Sequence, residues 1–223
     1  MTQEKLKIAI IGANGKMGKL ASTVIESMDN CIIVARVNRL DNLNEILKTT
    51  KPDIAIELTT HQSVLNNSRI IINNQVFPII GASGLKQSDI QELAALCISN
   101  NVGGLVAPNF SLGMALICKF TKELRKYYDD FSIIEYHHAQ KKDKPSGTAR
   151  YTAELLGLAE EKVASIRSDG FVAKQQLYTF GAGERILIDH ESFDRNSFAK
   201  GIVLGINKVM QLKHLVTGLE NII

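Results

Sequence analysis

Between Glu135 and Ala149 the chain reads Glu-Tyr-His-His-Ala-Gln-Lys-Lys-Asp-Lys-Pro-Ser-Gly-Thr-Ala, and the side chains best suited to chemistry are gathered there. An apolar run from Phe131 to Ile134 leads into His137 and His138. Histidine titrates near cellular pH, which suits it to deliver or accept a proton. Lys141 and Lys142 add positive charge, and Ser146-Gly147-Thr148 opens a segment of helical spacing, Ala149 to Leu158. Proline offers no N–H to a strand ladder, so Pro145 is expected to stop the strand, and Ser146 or Thr148 can cap the helix that follows. The N–H groups of such a first turn, with the positive end of the helix dipole, receive a carboxylate or phosphate. The expected chemistry is proton donation beside an anion site. Adjacent histidines on a strand point to opposite faces, and no carboxylate or cysteine stands at ligand spacing, so no metal is expected.

A second cluster lies near the start. The apolar run Leu6 to Ile11 passes directly into Gly12-Ala-Asn14-Gly15-Lys16-Met17-Gly18, and Leu20, Ala21, Val24, Ile25 and Met28 follow at helical spacing. Strand, glycine loop and helix in that order are what a dinucleotide site requires. Gly12 would make the tight turn, Gly15 would admit a pyrophosphate to the backbone, and Gly18 would let the helix pack closely. The glycines are spaced three and three instead of two and three, which leaves a glycine-rich turn of another α/β protein as the alternative. About 20 residues on, where an NAD enzyme places an acidic side chain on the ribose 2′-hydroxyl, the run Cys31 to Val37 ends in Asn38-Arg39. Asn38 brings no charge. Arg39 can pair with a 2′-phosphate or stand as a solvated loop arginine, and the first option predicts NADPH.

These stretches resemble the 4-hydroxy-tetrahydrodipicolinate reductase family, also called dihydrodipicolinate reductases, NAD(P)H-dependent enzymes of bacterial lysine and diaminopimelate synthesis. Glu135, His137, His138, Lys141, Asp143, Pro145, Ser146, Gly147, Thr148 and Ala149 stand at the spacing of the family signature, and Lys144 departs from it where a small residue is usual. The Gly-x-x-Gly-x-Met-Gly loop is also the family form. Leu58-Thr59, Gly81-Ala82-Ser83-Gly84 and Pro108-Asn109-Phe110-Ser-Leu-Gly113 resemble three further family segments, as does Asp189 to Arg195. The resemblance implies His137 as general acid and Lys141 as second catalytic group, with His138, Ser146, Gly147, Thr148 and Arg195 holding a cyclic dicarboxylate. It assigns Gly12, Asn14, Gly15, Lys16, Met17, Asn38 and Arg39 to the cofactor, with Leu58 and Thr59 under its phosphates or ribose. Gly81, Ala82, Ser83 and Pro108 would line the nicotinamide end, and Asn109 and Phe110 would flank its ring. NADPH and NADH are both expected cofactors, and a homotetramer is the expected assembly. Two other readings compete. A dehydrogenase of another substrate should lack the His-His to Ser-Gly-Thr run, and a dinucleotide-sensing regulator should have lost its proton donor or its anion cap.

The elements that must position these residues can be read from periodicity. Strands are expected at Leu6–Ile11, Cys31–Val37, Asp53–Leu58, Val76–Ile80 and Val102–Ala107, with helices between them. A capping box of Ser88 and Gln91 should start the helix Asp89–Ser99, and Leu40 to Pro52 reads as a short loop where many relatives insert a strand and helix. Five strand-helix steps predict an α/β fold: a Rossmann-like, doubly wound parallel sheet with its ligand at the carboxyl ends of the strands. From Met114 to Tyr127 a helix leads on, and the period then changes. Phe131–His137, Val163–Arg167, Gln175–Phe180 and Arg185–Glu191 should form a smaller mixed sheet under the helix Ser146–Leu156, and a helix Ser197–Leu212 should return to the first part. Residues 1–112 with 196–223 are expected to bind the dinucleotide, and 113–195 to bind substrate and oligomerise, since so small a sheet leaves one face to cover.

Composition agrees with an ordinary globular protein of 223 residues. A net charge of +3 does not argue for a nucleic-acid surface. No apolar run reaches the roughly 18 residues of a membrane span, and Met1 to Lys7 is polar without a signal-peptide core, so a cytoplasmic location is expected. Cys31, Cys97 and Cys118 sit far apart in apolar sequence and read as buried thiols. His61, His190 and His214 read as structural, and Lys142 and Lys144 as solvated.

Overall fold

The structure, a computed structural model, describes residues 4–223. In chain order its elements are β1 (Leu6–Ile11), α1 (Lys16–Glu26), β2 (Cys31–Val37), α2 (Leu43–Thr50), β3 (Ile54–Glu57), α3 (Val64–Asn73), β4 (Phe77–Ile80), α4 (Gln87–Ser99) and β5 (Gly104–Val106). There follow α5 (Leu112–Leu124), β6 (Asp130–His137), α6 (Gly147–Leu156), β7 (Val163–Arg167), β8 (Ala173–Gly181), β9 (Glu184–Ser192), α7 (Ala199–Val209) and β10 (Leu215–Thr217). They form two compact units, 4–110 with 198–223, and 111–197.

In the first unit six strands lie parallel in the order β10-β5-β4-β3-β1-β2. Such strands are buried on both faces, which is why Ile8 to Ile11, Ile54 to Ile56 and Ile79-Ile80 are almost wholly apolar and closed to water. Ala9, Ile11 and Ala55 pack with Leu43 and Leu47 of α2 and Ile71 of α3, while Gly205 of α7 lets that helix settle on Leu105 and Ile79. Strand order reverses at β1, which has β2 on one side and β3 on the other, so the crevice of this sheet opens beyond the ends of those strands.

The structure departs from the sequence pattern at three places. The stretch read as a loop after β2 contains α2, whose start is capped by Asn42 accepting from the Glu45 N–H at 3.3 Å. At α4 the reciprocal cap is not Ser88 with Gln91: Lys86 is the N-cap residue, and the Asp89 carboxylate accepts its N–H at 2.8 Å. The last segment is a short 3-10 turn at Arg195–Phe198 and the helix α7, followed by a sixth strand, β10, paired with β5.

The second unit carries a mixed sheet in the order β7-β6-β8-β9, with β6 parallel to β7 and the other pairs antiparallel. Phe131, Ile133 and Leu177 point from one face into Ala149, Ala153 and Leu156 of α6. By the alternation of strands, Glu135, His137 and Arg167 share that inner face. The opposite face presents Ile166, Phe180 and Leu187 to solvent. β6 ends at His137, well before Pro145, so the turn beginning at His138 ends the strand and the proline falls next to the cap of α6.

Candidate functional site

In the first unit the glycine loop closes the carboxyl end of β1. Gly12 has φ +83°, and its N–H and that of Ala13 donate to Val37 O at 2.8 and 3.3 Å, tying the loop to β2. A Cβ at Gly18 would lie 2.2 Å from Gly12 O and 2.7 Å from the Ala13 Cα. The helix therefore starts hard against the loop. Gly15 is its N-cap in an extended conformation with no side chain over the helix end, so the first-turn N–H groups of α1 open outward. The Asn38 side chain accepts from the Asn14 N–H at 3.0 Å, and Asp41 accepts from the Asn38 N–H at 2.7 Å, fixing the β2 turn against the loop.

Around these groups lies a cleft of about 450 Å³, lined by Gly12, Gly15, Asn38 and Arg39 and, across it, by Leu58 and Thr59; Asp41 and Asn67 also reach its wall. Its floor is backbone that a side chain would fill, which is the form of a phosphate cradle. Beneath the wall Glu57 is fully buried. It accepts from the Thr59 hydroxyl and, at 3.1 Å, from Asn67. Burial pushes its carboxyl up, and those two bonds pull it partly back. Of the sequence-predicted cofactor residues, Gly12, Gly15, Asn38, Arg39, Leu58 and Thr59 share this cleft, with Asn14, Lys16 and Met17 on its loop and helix start. Gly81, Ala82 and Ser83 follow β4, and Pro108 and Asn109 follow β5, further along the same sheet edge. Phe110, expected to flank a ligand ring, stands at the end of the first unit's leading segment, before α5. Its side chain is buried, against the place where a Gly81 side chain would stand.

In the second unit His137 stands at the end of β6. His137 Nδ1 lies 2.5 Å from Oε2 of Glu135, a carboxylate with no exposure to water. Its other oxygen accepts from Arg167 Nη2 at 2.7 Å and from the Ser146 N–H at 3.3 Å. Desolvation pushes the Glu135 carboxyl up, but the bonds from His137 and Arg167 outweigh it and hold it at about 2. Lys141 Nζ stands 2.9 Å from Asp143, whose carboxyl partial burial raises and Lys141 brings below its ordinary value. Ser146, rather than Thr148, caps α6, accepting from the Ala149 N–H at 3.2 Å. Among the described residues, apart from its chain neighbours and its own helix backbone, nothing lies within 4 Å of where a Gly147 side chain would be, so the helix start is open to a ligand.

His137, Lys141, Ser146 and Gly147 thus fall in one neighbourhood, with His138 and Thr148 adjoining them in the chain. Arg195 lies on the exposed turn after β9 and joins none of these bonds. His190 lies 3.1 Å from the Ser111 hydroxyl, and burial lowers its pKa. Sequence reasoning passed over Arg167 and gave Glu135 no role. The signal for Arg167 is register: parallel pairing sets it opposite His137, and that pairing is legible only once β6 and β7 are aligned.

Comparison with known proteins bears on what this arrangement does. Residues 6–110 match the family model described as dihydrodipicolinate reductase, N-terminus, and residues 113–223 match its C-terminus counterpart. A 4-hydroxy-tetrahydrodipicolinate reductase of Legionella pneumophila (strain Corby) is 38% identical over 98% of this chain and 100% of its own length. One from Coxiella burnetii (strain Dugway 5J108-111) is 37% identical over 98% of this chain and 99% of its own. Among solved structures, a dipicolinate-bound dihydrodipicolinate reductase from Paenisporosarcina sp. TG-14 superposes with a TM-score of 0.85 at 32% identity, over 98% of this chain and 100% of that one.

Proposed function

The chain belongs to the dihydrodipicolinate reductase family, and from that premise we propose that it reduces 4-hydroxy-tetrahydrodipicolinate to tetrahydrodipicolinate in lysine and diaminopimelate biosynthesis, in the cytoplasm. The observation that carries the reading is the Glu135–His137 pair beside the open start of α6, on a chain whose other unit holds a phosphate cradle. A reduced nicotinamide dinucleotide, when bound, supplies the hydride. The first turn of α1 and the bare backbone of Gly12 and Gly15 would hold its pyrophosphate. Arg39 suits a 2′-phosphate, and Asp41 on the same wall offers the acceptor that a 2′-hydroxyl requires, which favours use of both NADPH and NADH.

Loss of the 4-hydroxyl as water turns the substrate into a conjugated imine, and hydride arrival on it leaves negative charge at the far end of that system, where a proton must be delivered. His137 supplies it from the ring nitrogen that Glu135 leaves free, and Lys141 steadies the charge. One substrate carboxylate sits at the start of α6 on Ser146, Gly147 and Thr148, with His138 and Arg195 completing the grip. The dipicolinate of the Paenisporosarcina enzyme is a dicarboxylate of the kind this grip would take.

The test is to mix the purified protein with NADPH and 4-hydroxy-tetrahydrodipicolinate and follow the reduced-nicotinamide absorbance. Its loss is expected, and His137→Gln and Lys141→Ala are each expected to slow it at least tenfold while the dissociation constant for NADPH stays within about twofold. Tight NADPH binding without oxidation by the wild type would overturn the reading in favour of a sensor.

A further inference from the structure

We propose that Arg167 is the positioning residue of this site: through Glu135 it fixes which nitrogen of His137 carries the ring proton, and through two backbone carbonyls it holds the Lys141 loop in register with that ring. The inference rests on the reading of His137 as proton donor. Its geometry can be tested without any turnover.

An ionised carboxylate accepts hydrogen bonds and donates none, and that of Glu135 is held at about 2, so His137 Nδ1 must be the donor across the 2.5 Å between them. The neutral ring then carries its hydrogen on Nδ1 and leaves Nε2 as the atom that gains and delivers a proton. Glu135 cannot swing away from this duty, because Arg167 and the Ser146 N–H occupy its other oxygen. The same Arg167 Nη2 reaches Asp143 O at 2.6 Å, its Nε reaches Lys141 O at 3.2 Å, and its Nη1 reaches Ile166 O at 2.8 Å. One guanidinium thus joins the end of β7, the carboxylate on β6 and both ends of the Lys141–Asp143 segment. Its side chain is only 7% exposed, so these bonds are made away from competing water. A lysine, with one compact ammonium, cannot span that set of acceptors. Parallel register places Arg167 beside His137, so the strand pairing itself delivers the guanidinium to the proton donor.

The test is nitrogen-15 NMR of the histidine rings in the ligand-free protein at alkaline pH, with the His137 signals assigned by their loss in His137→Gln. The wild type is expected to show His137 with its hydrogen on Nδ1. In Glu135→Gln the amide can turn its NH2 toward Nδ1, and the hydrogen is expected to move to Nε2. Arg167→Lys is expected to lower kcat at least tenfold with NADPH affinity unchanged within about twofold and to broaden the backbone signals of Lys141 to Asp143. A wild-type ring protonated on Nε2 overturns the proposal and needs no variant to fold. An unchanged tautomer in Glu135→Gln, or full turnover in Arg167→Lys, overturns it as well. If the tautomers behave as expected while His137→Gln keeps its turnover, the catalytic assignment of His137 fails and the geometry stands.

Discussion

Glu57 and Glu135 are both closed to water, yet their pKa values move in opposite directions, because only around Glu135 do the neighbours outweigh burial. Among the described residues no cation stands beside Glu57; burial is the larger influence, and its folded pKa lies above the ordinary 4.5. Glu135 meets Arg167 and His137, which overcome burial and hold it at about 2. The sign of each effect on stability follows from which state binds its proton more tightly. Folded Glu135 binds its proton more weakly than the unfolded chain does, so its contribution is present above pH 4.5 and fades as pH falls toward about 2. Folded Glu57 binds its proton more tightly, so its contribution is complete below 4.5 and is lost as pH rises through the raised value. Urea denaturation midpoints measured from acid to neutral pH should therefore separate two variants. Glu57→Gln is expected to remove the alkaline loss and raise the midpoint near pH 7. Glu135→Gln is expected to lower it there, with a loss of about 3 kcal/mol or more in stability, because Arg167 is left buried without its counter-charge. A neutral-pH gain for both variants would contradict this assignment. Arg39 gives a second prediction at this scale: Arg39→Ala should weaken NADPH binding about tenfold in a fluorescence titration and leave NADH binding nearly unchanged.

At the scale of the element, the glycine loop and the helix start are one device, since each exists in the form the other requires. A Cβ at Gly18 would strike backbone atoms, Gly12 O and the Ala13 Cα, which cannot rotate away as a side chain can. Gly18→Ala should therefore push α1 off the loop, cost about 1 to 3 kcal/mol of stability, and weaken NADPH binding at least tenfold. Calorimetric melting and a binding titration would read the two effects, and unchanged affinity would show that the helix start does not hold the nucleotide. The elements also show what the sequence could and could not reveal. Strands such as Ile54–Glu57 are buried on both faces, so their apolar runs stand out, and the glycine loop announces itself by composition. The short helix α2 was hidden because only Leu43 and Leu47 are buried on it, and β10 because three residues between polar turns carry no period. In the site, His137 and the α6 cap were visible because chain neighbours build them. The Arg167 bridge and the burial of Phe110 depend on pairings far apart in sequence, and neither leaves a local signature.

For the whole molecule, the sheet of the second unit poses the remaining question. Its inner face is closed by α6, yet on the outer face Ile166 is 41%, Phe180 40% and Leu187 43% exposed. Register places Leu187 beside Tyr178, whose ring stacks on Phe180 with centroids 6.3 Å apart, so these side chains form one patch across β8 and β9. Monomers seldom leave a contiguous apolar patch on a sheet open to water, and a twofold pairing of identical patches covers it without creating a new edge. We propose that this face meets its copy, a pairing that joins two subunits and would be one contact of the homotetramer that the family resemblance implies. Leu187→Glu would set a like charge against itself across such a pairing, and the unpaired buried charge should cost several kcal/mol per contact. The substitution lies on the face opposite His137, so the fold of the unit should survive it. Light scattering on a sizing column should then give four subunits for the wild type and a smaller assembly for Leu187→Glu, with unchanged far-ultraviolet circular dichroism. A monomeric wild type, or a variant of undiminished mass, would mean that some other surface holds the subunits together or that none does.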